Sequence, residues 1–428
     1  MRALRFATTL YRRRLDIAYH GYLRGDPMSR LHLAPGRADP YAIYEGLRTR
    51  GELVPTRLGN FVTASHTVCN TVLRDRRFGV MASATTGPAG PGQQVDMSFL
   101  DRDPPDHTRL RRLAQPSFSP RQITGFRPQV EQTVDKLLGT AAEKGTFDLV
   151  SSFSAPLPIA VISDLLGIPD SDEARFARHG ATIGSALDGI RSLGHAARLQ
   201  TAKAELDDVF IRLIASRRAA LESGGAPVDD VIGRILATEG DQIEAPEILP
   251  MLRLLLVAGF ETTVNLIGNA VNALLDHPGQ WEALCADPAG LAAAAVEETL
   301  RWDPPVQRTG RCAREELELA GQRVRRGQFV VTLIGAAGRD PAVFTDPGRF
   351  DIHRVPEADH LAFSSGIHYC VGAPLARLEA TVAIQRLAER MPGLRRAGVV
   401  RRRGSGLIRG PIHFPVQVSG ARPEKPGR

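Results

Sequence analysis

Apolar residues recur every three to four positions along most of this chain, which predicts helices at about 121–144, 156–166, 171–188, 195–222, 228–238, 246–276 and 289–302. Alternation with a period of two is confined to short stretches. ELVPTRLGNFVTA (52–64) alternates around Leu58-Gly59-Asn60 as a hairpin, with a helix following through Leu73. LELAGQRVRRGQFVVTLIG (317–335) reads as strand, turn, strand, and IHFPVQV (412–418) as a closing strand. Asp103-Pro104-Pro105-Asp106 signals a helix start, because prolines and acids sit where the first turn tolerates them. The class predicted is mainly α with minor antiparallel β. The most apolar long stretch, Leu254 to Leu275, approaches bilayer length but carries Glu261, Thr262, Thr263, Asn265, Asn269 and Asn272. Such groups are expensive in hydrocarbon, so the stretch reads as a buried helix and no transmembrane segment is expected.

Composition narrows this picture. The 428 residues are 43% hydrophobic and 24% charged, which fits a globular protein and excludes collagen-like, disulfide-scaffold and wholly disordered classes. No repeat of 20 to 50 residues and no dividing linker is visible, so one continuous domain (36–419) is expected. A flexible basic arm (1–35) precedes it and a disordered tail (420–428) follows. Inside the domain, Ala82 to Gln94 has little to bury and is a functional-loop candidate. Arg12, Arg13 and Arg14 interrupt the first apolar stretch, so no secretory leader is expected and the cytoplasm is the predicted location. The net charge of +7 admits an acidic partner, but no zinc-finger, RRM or helix-turn-helix signature supports nucleic acid. Four cysteines (Cys69, Cys285, Cys312, Cys370) with no CxxC pair indicate neither a disulfide framework nor a zinc ribbon.

Three segments carry candidate chemistry. FSSGIHYCVGAPLARLE (363–379) places Cys370 after a small-residue turn and just before a helix with Pro374 near its start. Free amides and the positive helix end then point at the sulfur and favour a metal-binding thiolate; the alternative is a buried structural cysteine. Ala258-Gly259-Phe260-Glu261-Thr262-Thr263 sets a glycine and an acid inside the buried helix, where both are unfavourable, and the Thr262 hydroxyl can reach the Ala258 carbonyl. Glu298 and Arg301, three apart on one helical face, can form an ion pair.

These segments, together with others in the same order, resemble the bacterial cytochrome P-450 enzymes, haem-thiolate monooxygenases of actinobacterial type. The motifs are HTRLR (107–111), AGFETT (258–263), EETLR (297–301), GRDPAVFTDPGRFD (338–351) and FSSGIHYCVG (363–372), and the resemblance runs from about residue 40 to 418. Two departures stand out: Ser364 replaces the family's usual glycine after Phe363, and Gly338 stands where asparagine is common. If the glycine serves an unusual backbone angle, Ser364 adopts it under strain.

The resemblance implies a single helical domain enclosing haem b (iron protoporphyrin IX), with Cys370 as axial ligand of the iron. Cys69, Cys285 and Cys312 are assigned to packing. His107, Arg111, Arg311 and His368 are expected to hold the propionates, and Ala258, Gly259, Phe363 and Gly372 to line the ring. Glu261 and Thr262 are expected to relay protons during O2 activation, with Thr263 a packing neighbour. Glu298 and Arg301 form a buried structural pair, completed by Arg349 or Arg354. Leu255, Ala258, Val306 and Leu407 are substrate-pocket candidates, and the loop of about 79–100 is the candidate lid.

The implied reaction hydroxylates or epoxidises an apolar small molecule, a polyketide, terpene or peptide of secondary metabolism, with two externally supplied electrons. No Rossmann, flavin or iron–sulfur unit is present in the sequence, so a ferredoxin and its reductase are the expected donors to a monomeric enzyme. Arg109, Arg112 and Arg377 are candidates for steering that ferredoxin. The alternatives are a peroxide-driven haem-thiolate enzyme and a non-catalytic haem-thiolate recruiting protein.

Overall fold

The computed structural model describes residues 2–80, 96–185, 190, 192–223 and 230–418, with the side chains of 2–7, 170–174 and 177 left aside. The loop Ala82–Gln94 and the tail 420–428 therefore lie outside the described residues.

The apolar stretch singled out in the sequence is the axis of the molecule. Helix Ala245–Asp276 starts at a capping box between Glu244 and Glu247, with Pro246 in its first turn where the missing N–H costs nothing. It is apolar nearly all round, as a helix must be to lie inside other helices. It packs against Pro156–Leu166, Asp170–Gly184, Leu193–Glu222, Pro288–Trp302 and Ala373–Arg390. One continuous core joins all of these, including Leu252, Ile267, Val296 and Ile384. It is also the one described helix long and apolar enough to span a membrane, and its burial marks it as a core helix.

The β-structure lies to one side. Five short strands run in the order Val54–Pro55, Phe61–Thr63, Phe329–Thr332, Thr309–Ala313 and Phe78–Gly79. Most pairings are antiparallel, as expected, but Phe61–Thr63 pairs with Phe329–Thr332 in parallel. Parallel neighbours need a long crossover, and here the connection is the whole helical body. The 317–335 stretch divides into a hairpin, Leu317–Leu319 with Gln322–Val324, and the separate strand Phe329–Thr332. The expected helix 121–144 is broken at Phe126 into Pro120–Gly125 and Arg127–Glu143, each with a proline in its first turn.

At the other end of the chain, helix Arg2–Ala18 leads through Tyr19–Leu23 into Pro27–Leu31, which Asp26 caps through the Ser29 amide (2.8 Å). Met28 and Leu31 are buried with Tyr44, Val62 and Val331.

Candidate active site

The Cys370 loop bridges the 3-10 turn Gly366–His368 and helix Ala373–Arg390. The Cys370 amide donates to the Phe363 carbonyl (2.8 Å), closing the loop on itself. Gly366, at φ 68°, is a glycine by necessity: a Cβ there would sit 2.5 Å from the Leu73 carbonyl oxygen. Ser364 stands at φ 63°, the left-handed angle that L-residues avoid, so the expected strain is present. Solvent reaches Cys370, yet loss of hydration at the sulfur pushes the thiol above its ordinary value. The Gly372 and Ala373 amides and the Arg111 and Arg377 guanidiniums pull it back down. Gly372 itself adjoins the sulfur, its side-chain position 4.0 Å away.

On the central helix, Ala258 is exposed although Val257, Phe260 and Glu261 beside it are buried. Gly259 lies against Ile162. The Thr262 hydroxyl donates to the Ala258 carbonyl (3.1 Å), as the spacing predicts, and Thr263 repeats the bond to Gly259 (3.3 Å). Glu261 is 3% exposed and faces a partner that the sequence did not announce: Arg403 lies 2.7 Å from its Oε1.

A cationic cluster lines the edge. In helix Asp106–Ala114, His107 is buried with both ring nitrogens lacking a hydrogen-bond partner among the described residues. Its ring lies 4.4 Å from that of His368, whose buried Nε2 also has no partner. Burial, helped by neighbouring cations, lowers His107 and brings His368 down to about 3. Arg311 is buried too, and burial lowers its guanidinium to about 10, opposed only by Asp103. It donates to the Gly310 carbonyl (2.8 Å) and to Thr309 (3.4 Å). Arg111 reaches the Tyr369 carbonyl (2.6 Å), tying this helix to the cysteine loop. Unpaired donors of this kind are costly in isolation and fit an anionic group such as a haem propionate. The exposed faces of Ala258 and Cys370 fit its flat ring.

Beneath the site, Glu298 and Arg301 pair through two hydrogen bonds of 2.7 Å, both residues 4% exposed. Arg301 spends its remaining N–H groups on the carbonyls of Gly338 (2.7 Å), Pro347 (2.8 Å) and Arg349 (2.9 Å). Glu298 also accepts from the Asp351 amide (2.9 Å) and from Arg354 (3.4 Å). The third arginine side chain is thus Arg354; Arg349 contributes its carbonyl while its side chain points outward to Asp351. Gly338 is explained here: a Cβ would fall 2.0 Å from the Arg301 carbonyl oxygen, leaving no room for asparagine.

The pocket candidates fall on two parts of the fold. Leu255 is buried on the central helix, while Val306 and Leu407 are half-buried on segments joined by the bridge Val306–Ile408 and the Gln307 amide to the Leu407 carbonyl (2.8 Å). Two of the arginines expected to steer a partner are engaged internally. Arg377 pairs with Glu297 (2.6 Å) and stacks over Phe363, and Arg109 pairs with Glu247 (2.7 Å) and Asp106 (3.2 Å). Arg112 is exposed.

A cysteine thiol set among amides and guanidiniums, with buried imidazoles that lack partners among the described residues and two arginines beside them, fits a thiolate site for a flat anionic macrocycle. The comparisons agree. The cytochrome P-450 family pattern matches residues 290–390. The chain is 38% identical over 441 residues to the putative cytochrome P-450 140 of Mycobacterium tuberculosis, covering 95% of each chain. It is 39% identical over 324 residues to 6-deoxyerythronolide B hydroxylase of Saccharopolyspora erythraea, covering 74% of this chain and 77% of that one. The ligand-free crystal structure of Mycobacterium smegmatis CYP164A2 superposes with a TM-score of 0.83 at 38% identity, over 92% of this chain and 99% of that one. The chain belongs to the cytochrome P-450 family and is a monooxygenase with a haem-iron cofactor.

Proposed function

We propose that this enzyme holds haem b through Cys370 and inserts one atom of O2 into an apolar secondary metabolite. When bound, the haem iron supplies O2 binding and, with two electrons, the oxidising power for hydroxylation or epoxidation. The residues around it take the remaining roles. Gly372, Ala373, Arg111 and Arg377 favour the Cys370 thiolate; Ala258, Gly259, Phe363 and Gly372 border the ring. His107, Arg111, Arg311 and His368 meet the propionates. Thr262, held at the Ala258 carbonyl, and Glu261, next to it on the chain, hold and pass protons on the side opposite the cysteine.

The observation that carries this reading is the Cys370 loop itself: a thiol on which two amides and two guanidiniums converge. Leu255, Val306 and Leu407 support an apolar substrate. The relative named 6-deoxyerythronolide B hydroxylase supports hydroxylation of a secondary metabolite, a polyketide, terpene or peptide. A ferredoxin and its reductase, in the cytoplasm, are the proposed donors. The acid–alcohol pair favours this over a peroxide-driven or non-catalytic reading. Cys370→Ala should abolish the strongly red-shifted Soret band of the reduced carbon monoxide complex; a retained band refutes the ligand assignment. Thr262→Ala should keep haem but divert electrons to hydrogen peroxide, and fully coupled product formation in that variant refutes the relay.

A further inference from the structure

Charge and exposed apolar surface coincide in one short stretch of the chain. Residues 2–24 hold six arginines and one aspartate, a net +5 out of the chain's +7. The same segment exposes Tyr11, Leu15, Tyr19, Tyr22 and Leu23, five of the thirteen large apolar residues exposed among the described residues. Leu15 and Leu23 are 71% and 75% exposed. In a segment that small, so much apolar surface in water marks an interaction face. Tyr11 and Leu15, four apart on helix Arg2–Ala18, share a face, and the exposed Arg12 and Arg13 flank it.

This face is held in place by the body of the protein. The Asp26 amide donates to the His20 carbonyl (2.9 Å), and the Asp26 carboxylate accepts from the amides of Ser29 (2.8 Å) and Arg57 (3.1 Å). Gly21 is buried against Leu33, and Met28 and Leu31 enter the core. The basic, apolar segment is therefore presented outward from a fixed base.

We propose that residues 2–24 dock on an anionic lipid surface, lying on it without crossing it. Leucine and tyrosine suit the boundary between headgroups and acyl chains, and guanidiniums beside them suit lipid phosphates. Charge complementarity selects this occupant: a second copy of the chain would set one +5 segment against another. The proposal is independent of the substrate and of the electron donor.

The test is co-sedimentation of the haem-loaded enzyme with vesicles of equimolar phosphatidylglycerol and phosphatidylcholine, against vesicles of phosphatidylcholine alone. Binding should be at least about tenfold stronger to the anionic vesicles and should fall as salt is raised. Leu15→Ser with Leu23→Ser, and separately Arg12→Gln with Arg13→Gln, should each weaken it by about tenfold or more. Both variants should keep the wild-type melting temperature and reduced carbon monoxide spectrum. Absent binding, equal binding to both vesicle types, or unchanged binding by both variants overturns the proposal. So does a failure to bind vesicles joined to concentration-dependent self-association, or to capture by polyglutamate, that the same variants abolish.

Discussion

Replacing Arg301 by methionine removes the most fully bonded side chain beneath the active site at nearly constant volume. The wild-type guanidinium makes five hydrogen bonds of 2.9 Å or shorter, two to Glu298 and three to carbonyls of the 338–349 segment. Without it, Glu298 at 4% exposure keeps only the Asp351 amide and Arg354 at 3.4 Å. Breaking one side of a buried pair costs about 3–5 kcal/mol. Unfolding entropy of about 2.1 cal/mol/K per residue sums to about 0.9 kcal/mol/K for this chain, so the melting temperature should drop by about 3–6 °C. Arg349→Met provides the contrast. Its side chain is 64% exposed and loosely paired, and its structural contribution is a backbone carbonyl that methionine keeps. That change should cost less than about 1 kcal/mol and about 1 °C. Arg354→Met should fall between, since this 11%-exposed side chain also bridges the Thr345 and Asp346 carbonyls. Thermal melts followed by circular dichroism, with haem content measured alongside, rank the three. If Arg349→Met costs as much as Arg354→Met, or Arg301→Met shifts the melt by less than 1 °C, the assignment of the third arginine or the weight given to the pair is wrong.

Ser364→Gly should raise the melting temperature by about 1 °C, because glycine adopts φ 63° without the roughly 1–2 kcal/mol that an L-residue loses there; a lowered melt would show that the hydroxyl matters more than the backbone. Arg311→Leu should act in opposite senses on two forms. The haem-free protein should melt higher, relieved of a buried guanidinium, while haem dissociates about tenfold faster, one charge-assisted bond being worth about 1.5 kcal/mol or more; equal shifts in both forms would exclude the propionate role. Acid titration reports on Glu297. Burial alone would raise its carboxyl, but hydrogen bonds from His360 and Arg377 outweigh burial and bring it down to about 2. A folded value below the unfolded one means the stabilisation is complete above about pH 4.5 and fades as pH falls towards 2. Glu297→Gln should therefore flatten stability between pH 5 and pH 2 and leave an unchanged acid limb only if this reasoning fails.

What the sequence disclosed and what it withheld follows from the range of each interaction. Thr262 to Ala258 and Glu298 to Arg301 are contacts within one helical turn, so spacing alone located them. The choice between Arg349 and Arg354 was not readable, because both lie within a few residues and only the turn after Pro347 decides which side chain points inward. Arg403 lies 142 positions from Glu261, and no local pattern could pair them. The parallel strand pair was hidden for the same reason, its members separated by most of the helical body. Glu379 shows a further limit. It sits one helix face along from the cysteine loop, fully buried with neither carboxyl oxygen partnered among the described residues, and burial raises it well above its ordinary value. From sequence it read as part of the ARLE segment and nothing more.

The positive charge of the chain resolves into groups with different work. At the site, burial lowers His107 and His368 and the Arg111 and Arg311 guanidiniums lower them further, while the two arginines are themselves lowered by burial. Burial brings His368 down, which favours a neutral imidazole there. Arg109, and Arg377 beside the cysteine loop, are paired with Glu247 and Glu297, which weakens their part in any long-range field. The excess then rests chiefly on residues 2–24, where Arg12, Arg13, Arg14 and Arg24 are exposed. Of the three arginines expected to steer an acidic electron donor, Arg112 alone then has no acidic partner among the described residues, so Arg112→Gln should lower the salt dependence of that association, and an unchanged dependence would place the docking face elsewhere.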